Sequence, residues 1–239
     1  KIEPTVNDGY AFPSLKSANE IFSGQGTESS PFIISTPEQL QALNYFGADS
    51  LLYFRLGSDI DLSAYLSQNG TGYNNGCGWI PIDLLKGNLD GAGYCIRGLW
   101  LERPYAIYAS MINLCYGTIK RLGIEVDANK WITGWTYAGI LCSWVSSRSF
   151  ITDCYTKGRV RITNLLSGNN WMTRQIGGLV GDNSGTIQNC YSSADCHFEQ
   201  KDSVGNLNEN GVGGLVGMND VGSIIDCYAK GKIICKFSN

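Results

Sequence analysis

Short apolar segments alternate with turns rich in Gly, Asn and Asp along most of this chain, and one such unit recurs. The clearest copy is Gly177–Ser192, GGLVGDNSGTIQNCYS, which returns at Gly213–Ala229 as GGLVGMNDVGSIIDCYA. Weaker copies occur at Ala138–Thr156 and Ser110–Gly123. A near-fixed period of strand, turn and strand predicts a solenoid, in which each repeat stacks on the next.

Three Cys-Tyr pairs allow the repeats to be aligned, with intervals of 36 and 37 residues between the cysteines. The alignment predicts one interior column of aliphatic side chains, made of Ile119, Ile151, Ile187 and Ile224 or Ile225. It also predicts a column of small polar residues suited to a tight corner, made of Asp153, Asn189 and Asp226.

The chain has nine cysteines. No C-x-x-C spacing occurs, which argues against a tetrahedral zinc site or a thioredoxin-type motif. In the repeat alignment Cys196 takes the slot of Val160 and Ile233, so we expect buried free thiols that act as small apolar side chains. Neighbouring rungs about 4.8 Å apart leave a disulfide geometrically possible. The odd total leaves at least one thiol free.

The segments GGLVG, GTI and NCYS resemble the GLUG repeat of large bacterial surface and secreted proteins, which include adhesins and non-catalytic regions of immunoglobulin-A-cleaving metallopeptidases. Upstream stretches at Gly26–Leu43, Asp59–Ser63 and Gly87–Leu99 are also similar to what precedes such repeats. The resemblance implies an all-β fold, a right-handed parallel β-helix, and an extracellular or cell-surface location. It implies no catalytic residues.

We expect residues 1–25 to be a lead-in and residues 26–239 a single solenoid, with N-terminal rungs at 31–105 and repeats at 106–239. Pro31–Ser35 is a predicted strand, and Asn88–Gly93 a predicted turn. A short helix is predicted from Thr36 to about Gly47, because Thr36 can cap it and Pro37 suits its first position. This helix is expected to cover the open end of the β-helix.

At the C-terminus no capping segment is evident, so we expect the last rung to be bare. Further repeats of a longer protein, or a homotypic end contact, would cover it. The chain begins with Lys and shows no signal peptide, which is consistent with a mature or trimmed chain. No apolar run approaches the roughly 18 residues of a membrane span.

Composition narrows the classes of partner. The net charge is −3 and only 16% of residues are charged, so bulk electrostatics does not favour nucleic acid. Low charge combined with 30 glycines suits the turns and polar flanks of a β-helix. The single histidine, His197, excludes an H-E-x-x-H zinc motif. We expect no cofactor and no metal.

Three segments between repeats are interpreted as insertions that leave the body along one edge: Asp127–Thr136, Thr163–Gln175 and Glu199–Gly211. Per-repeat insertions on one side are a common binding surface of solenoids. The candidate binding residues are the aromatic side chains in or beside them, Trp131, Trp135, Tyr137 and Trp171. The competing interpretation is that these rings fold down and bury a flank.

Two further groups of charged residues are candidates for a site. Arg159, Asp195 and Lys232 share one offset in the repeats and predict a surface ladder of opposite charges, worth little energetically. Four aspartates could offer oxygens to Ca²⁺, although cappers of backbone N–H groups are the more ordinary interpretation; they are Asp59, Asp61, Asp83 and Asp90.

The sequence therefore predicts a non-enzymatic, adhesin-like module that presents loops to a host or matrix glycan or protein. A carbohydrate-active enzyme, a lyase or hydrolase, on the same fold is the first alternative. A purely structural stalk is the second.

Overall fold

The computed structural model describes residues 18–163, 173–200 and 210–237. Its helices are α1 (Ala18–Ile21), α2 (Pro37–Gln41) and α3 (Leu43–Phe46), with a 3-10 turn at Asn74–Gly76. The strands are β1 (Phe32–Ile34), β2 (Tyr53–Leu56), β3 (Ile60–Asp61), β4 (Ile82–Leu85), β5 (Asn88–Asp90), β6 (Cys95–Leu99), β7 (Leu101–Glu102), β8 (Tyr108–Ala109), β9 (Ile112–Cys115), β10 (Thr118–Lys120), β11 (Gly123–Val126), β12 (Ile132–Gly134), β13 (Tyr137–Ala138), β14 (Cys142–Val145), β15 (Phe150–Thr152), β16 (Tyr155–Thr163), β17 (Gln175–Gly177), β18 (Val180–Asn183), β19 (Thr186–Gln188), β20 (Tyr191–Gln200), β21 (Gly211–Gly213), β22 (Val216–Asn219), β23 (Ser223–Ile225), β24 (Tyr228–Ala229) and β25 (Ile233–Phe237).

These strands form four parallel sheets. Sheet A has the order β1-β2-β5-β10-β15-β19-β23, sheet C the order β4-β9-β14-β18-β22, and sheet D the order β8-β13-β17-β21. Sheet B has the order β3-β6-β11-β16-β20-β24, with β7, β12 and β25 beside them. From β8 onward the chain passes through sheets D, C, A and B in turn and then starts again. This is the right-handed parallel β-helix expected from the sequence.

The register predicted from the Cys-Tyr pairs is confirmed. Tyr155, Tyr191 and Tyr228 are successive partners in sheet B. Their rings stack almost in parallel, with centroids 5.2 and 5.1 Å apart. One aligned position in the sequence has therefore become one row of side chains along the helix axis.

The predicted interior column is also confirmed. Ile119, Ile151 and Ile187 are successive partners in sheet A, and each has 0% of its surface exposed. Ile224 follows them in register but is 42% exposed, because no described strand lies over it. The interior side of the last rung is thus open in the described part of the chain, as expected.

The corner between sheets A and B has a repeated backbone conformation. Asp153, Asn189 and Asp226 have φ of 55°, 52° and 51°, in the left-handed region that Asn and Asp tolerate best. Ala92 and Arg121 adopt the same conformation in earlier turns, each with φ of 53°. The column of small polar residues seen in the sequence reflects this conformational requirement.

The predicted helix is present, but Ala42 divides it into α2 and α3. The Thr36 hydroxyl accepts a hydrogen bond from the Gln39 backbone N–H at 3.2 Å. Helix α3 lies against β4, the first strand of sheet C, where the Asp83 N–H donates to Asn44 Oδ1 at 3.0 Å. The two helices therefore cover the beginning of sheet C, where an uncovered strand would leave backbone groups unpaired.

Upstream of residue 26 the chain also joins the body. Phe22 is 3% exposed, and its ring centroid lies 5.4 Å from that of Phe32 and 5.7 Å from that of Phe54. Residues 18–25 therefore contribute to the first part of the core, while the rest of the expected lead-in lies outside the described residues.

Two sequence interpretations were wrong. Asn88–Asp90 is not a turn but β5, a strand inside sheet A, and the corner begins at Gly91. Asp127–Thr136 is not an insertion, because it contains β12, which pairs with β7 and with the second half of the long strand β16. Ile132 of β12 has 0% exposure, so this segment belongs to the core. The other two proposed insertions lie mostly outside the described residues.

All nine cysteines are free. Six are buried, and five of these lie at interior positions that apolar residues occupy in other repeats, as predicted. The sixth, Cys95, shares the register of Tyr155 in sheet B. Burial raises the pKa of Cys196 to about 12. Cys235, in the open last rung, is exposed.

Candidate functional site

The structure distributes the sequence-predicted aromatic residues over two faces. Trp131 lies on the outer side of sheet B, next to β16 and β20. Tyr137 lies on the outer side of sheet D. Trp135 is half-buried between them, and its Nε1 has no hydrogen-bond partner. Trp171 lies outside the described residues, so a platform shared by all four residues stays a prediction.

Cationic side chains surround Trp131. The Arg159 and Arg161 guanidinium groups lie 4.6 and 5.2 Å from the indole centroid, and the His197 ring lies 4.6 Å from it, edge to face. Arg161 also bonds both carboxylate oxygens of Glu102 at 3.0 Å. The faces of this indole are therefore already in contact with protein groups.

Tyr137 belongs to a row on the outer side of sheet D. Tyr108 is its register partner, and the two rings stack with centroids 5.5 Å apart at 23°. Their neighbours Ala109 and Ala138 point inward and have 0% exposure. Alternation along two short strands thus places small residues inside and phenol rings outside.

A second row runs along the outer side of sheet C, through the register partners Leu114, Trp144, Asp182 and Met218. The ring of Tyr116, which is 46% exposed, lies 5.4 Å from that of Trp144. The two rows lie on neighbouring sheets, because only Ser110 and Met111 separate β8 from β9. Burial, followed by the charges of Tyr137 and Tyr116, raises the pKa of Tyr108. We call Tyr108, Tyr116, Tyr137 and Trp144 the aromatic face.

A cleft of about 500 Å³ opens beside Trp144 at the corner between sheets C and A. It is lined by Tyr116, Trp144, Ser146, Ser147, Arg148, Ser184 and Val221. Two aromatic rings form one part of its lining, while hydroxyl groups and an exposed guanidinium form another. Apolar ring faces beside a few hydrogen-bonding groups are what small-molecule and sugar sites offer a ligand.

Asp182 adds an acidic group beside this cleft. Burial, followed by the negative charge of Asp220, raises the pKa of the Asp182 carboxyl. Its Oδ1 is covered and lacks a hydrogen-bond partner. A carboxyl group in this environment holds a proton at higher pH than an ordinary aspartate.

Trp144, Tyr116 and Tyr108 were missed from the sequence, although one signal was available. Trp144 directly precedes the apolar Val145, so alternation between neighbouring strand residues would have placed it outside if Val145 points inward. Tyr116 and Tyr108 could not be grouped with it, because only the stacking of successive turns brings residues of different rungs together.

The four aspartates considered for Ca²⁺ are engaged with the chain itself. Asp61 and Asp90 accept hydrogen bonds from the backbone N–H groups of residues two positions ahead, and Asp59 accepts one from Cys95 N–H. Within the described residues no three His, Cys, Asp or Glu side chains are grouped to hold a metal ion. Three of the four carboxylates therefore act as caps of backbone donors. Asp83 instead accepts a hydrogen bond from Asn113 Nδ2 at 3.3 Å.

The predicted charge ladder was right in register but wrong in its bonds. Arg159 and Asp195 are partners in sheet B, and Lys232 directly precedes β25, whose first residue pairs with Cys196. Asp195 Oδ1 accepts a hydrogen bond from the Lys232 backbone N–H at 2.9 Å, while Arg159 donates to the Ala128 carbonyl at 2.5 Å. Backbone groups at strand ends compete successfully with the exposed side-chain charges, whose pairing is weak in water.

Comparisons with known proteins agree with this architecture. Residues 208–234 match the family model of the GLUG motif. The chain is 31% identical over 143 residues to halomucin of Haloquadratum walsbyi, covering 57% of this chain and 2% of that protein. It is 32% identical over 111 residues to a provisionally named Gly-rich membrane protein of Evansella cellulosilytica, covering 44% of this chain and 12% of that protein. The chain therefore spans a small part of both relatives.

Among solved structures, the chain is similar to a Bacteroides ovatus protein provisionally assigned as an immunoglobulin A1 protease. The TM-score is 0.58 at 18% identity, over 89% of this chain and 80% of that one. At this identity the similarity shows the fold alone. Among the residues that the structure describes, no helix has the length and apolar character needed to cross a membrane.

Proposed function

We propose that this chain is a non-enzymatic, adhesin-like module of a bacterial secreted or cell-surface protein, and that it binds a host or matrix glycan or protein through the aromatic face. The β-helix supplies a rigid body, since each rung is tied to the next by a parallel ladder. The GLUG motif at residues 208–234 and the similarity to halomucin support a surface-associated role.

The observation that carries the proposal is the exposure of Tyr116 beside Trp144 and the open cleft next to them. An aromatic ring that stays at the surface does not contribute the stabilising free energy that its burial would give. A group of them beside hydroxyl and guanidinium donors is typical of a surface that is covered by a partner.

The test is a binding screen of the purified chain on immobilised glycans and extracellular-matrix proteins. The variant is Tyr116→Ala with Trp144→Ala, and the matched control is Trp131→Ala on the outer side of sheet B. We expect binding to be lost in the first variant and kept in the control, with little change in melting temperature. Loss in the control alone would move the site to sheet B, and absence of binding by the unmodified chain would favour the stalk.

One observation favours the enzymatic alternative. Asp182 is the register partner of the cleft residue Trp144, and burial, followed by the charge of Asp220, raises its pKa. Glycoside hydrolysis requires a carboxylic acid with a raised pKa together with a second carboxylate. Incubation with a panel of polysaccharides, with detection of new reducing ends, tests this alternative. Product formation that Asp182→Asn abolishes would establish the enzyme and overturn the non-enzymatic proposal.

The expected partners follow from the same surfaces. A glycan or matrix protein is proposed for the aromatic face, and further repeats or a second copy for the open last rung around Ile224. Sedimentation of the chain at rising concentration tests the second proposal, because exposed strand edges and apolar residues favour end-to-end pairing.

A further inference from the structure

The outer side of sheet B carries a concentration of positive charge that the proposed function does not use. Its members are Lys157, Arg159 and Arg161 on β16, and Lys230, Lys232 and Lys236 on or beside β24 and β25, on the other side of β20. These six cations lie on one side of sheet B although the chain as a whole has a net charge of −3. We call them the basic face.

Strand geometry makes the basic face long and flat. β16 and β20 have nine and ten residues and are the longest strands described. At about 3.3 Å per residue they extend roughly 30 Å, and cations on alternate residues of β16 lie about 6.6 Å apart. β20 lies between the two cationic strands, which are therefore about 9.6 Å apart.

The negative groups nearby compensate the basic face only in part. Glu102 is bound to Arg161, and Glu125 is the register partner of Lys157. On β20, Asp195 accepts the Lys232 backbone N–H, and Glu199 is the register partner of Lys236. Six cations facing four carboxylates leave a positive surplus. The Arg159 guanidinium lies over the indole of Trp131, although its register partner is Asp195.

His197 marks the centre of this surface. Its ring contacts Trp131, and it is the register partner of Arg161 on one side and Ile234 on the other. Burial, and then the positive charges of Lys236, Arg159 and Arg161, lower the pKa of His197 against the opposing effect of Asp195. The pKa of His197 therefore depends on the positive charge that surrounds the ring.

We propose that the basic face binds an anionic polysaccharide, whose regularly spaced sulfate or carboxylate groups contact the Lys and Arg side chains of β16 and of the last rung along β24 and β25. A linear polyanion can follow the long strands and release counterions from several contacts at once. Not every exposed lysine of the last rung has a fixed carboxylate partner, so these side chains offer positive charge to a ligand.

The aromatic residues on this side argue against single-stranded nucleic acid. Such chains bind by stacking bases on free ring faces. Here Tyr155, Tyr191 and Tyr228 cover one another's faces at 7° and 3°, and Trp131 is covered by Arg159 and His197. Recognition of a ligand by this surface would therefore be mainly electrostatic.

The first measurement is the affinity of the untagged chain for heparin, a polysulfated polysaccharide, at several salt concentrations. The variant replaces Lys230, Lys232 and Lys236 by Gln; the matched control replaces Arg55, Lys86 and Lys120, exposed cations away from sheet B, by Gln. We expect the variant to lose about tenfold or more in affinity and about three from the salt slope, and the control to lose less than about twofold. Equal losses in both would show binding by net charge and overturn the proposal.

The second measurement uses the fact that the chain has one histidine. The pKa of His197 is followed by NMR with and without heparin. Bound sulfate beside this ring should raise its pKa, and affinity should rise as pH falls through that pKa; a tenfold preference for the charged ring corresponds to a rise of about 1. An unchanged pKa in the bound chain would place the anion elsewhere and refute the site.

The third comparison identifies the class of polyanion. Single-stranded DNA of equal charge and neutral dextran are measured beside heparin. Weaker binding of DNA and absence of dextran binding support the proposal, whereas DNA binding as tight as heparin would overturn it. Because these variants leave Tyr116 and Trp144 unchanged, failure here is distinct from failure of the aromatic face.

Discussion

Shortening one isoleucine of the interior column of sheet A should be costly in the middle of the β-helix and cheap at its end. Ile151→Ala removes three carbon atoms from a site with 0% exposure, between Ile119 and Ile187. Ile224→Ala makes the same change in the same register, at a position that is 42% exposed. The two variants therefore differ in the burial of the site but not in the atoms that are removed.

The magnitude follows from burial. Loss of three buried carbons costs about 2.4 kcal/mol in transfer free energy, and a cavity enclosed by neighbouring rungs raises the cost to about 3.5 kcal/mol at Ile151. At Ile224 only a little over half of the side chain is removed from water. No enclosed cavity forms there, so the expected cost is about 1.4 kcal/mol.

The assay is urea denaturation followed by circular dichroism, with free energies compared at an unchanged m-value. Equal losses for the two variants, within about 0.5 kcal/mol, would refute the reasoning. They would mean that Ile224 is as well covered in solution as Ile151, and sedimentation would then reveal whether a second copy covers it.

The remaining predictions concern a corner, the thiols and an ion pair. Ala92→Asn should raise the free energy of unfolding by about 0.5–1 kcal/mol, because Asn tolerates the left-handed corner better than Ala; an unchanged or lower melting temperature would contradict this. Ellman's reagent should label Cys235 rapidly in the native chain, but Cys154 only after unfolding, because burial shields the Cys154 thiol and raises its pKa; native labelling of Cys154 would be the contrary result. Burial alone would raise the pKa of Asp90, but hydrogen bonds from Arg121 and Ala92, and the Arg121 charge, hold it below its usual value. Asp90→Asn should therefore lower the urea midpoint at pH 7 and lower it less below about pH 4, since the carboxylate's contribution is present above its unfolded pKa and disappears on protonation; an equal loss at both pH values would contradict the ion pair.

The sequence predicted the parts of the fold that repeat. Three Cys-Tyr pairs were enough to set the register of sheet B, and that register placed Ile151 and Ile187 in one interior column. The left-handed corner at Asn189 could be anticipated, because only a few residue types adopt that conformation without strain. The helix at Pro37 was predicted from its capping residues alone.

The sequence was less informative where elements are too short to show a period. Asn88–Asp90 contains turn-forming residues, but its pairing with β2 and β10 holds it in a strand. The segment around Ile132 looked like an insertion, because its three-residue strand is too short for alternation to be recognised. Tertiary pairing decided both cases.

The candidate surfaces depended still more on tertiary structure. Alternation within a strand determined that Trp144 and Arg159 point outward, which the sequence could have shown. Which outward side chains become neighbours was decided by the winding of the chain, because residues 30 to 40 positions apart come to lie one strand spacing from each other. The sequence by itself determined the rung, the register and the interior columns, since the residues that specify each of them recur in every repeat. Only the tertiary structure assembled the aromatic face and the basic face, since each combines single, non-repeated residues from several turns.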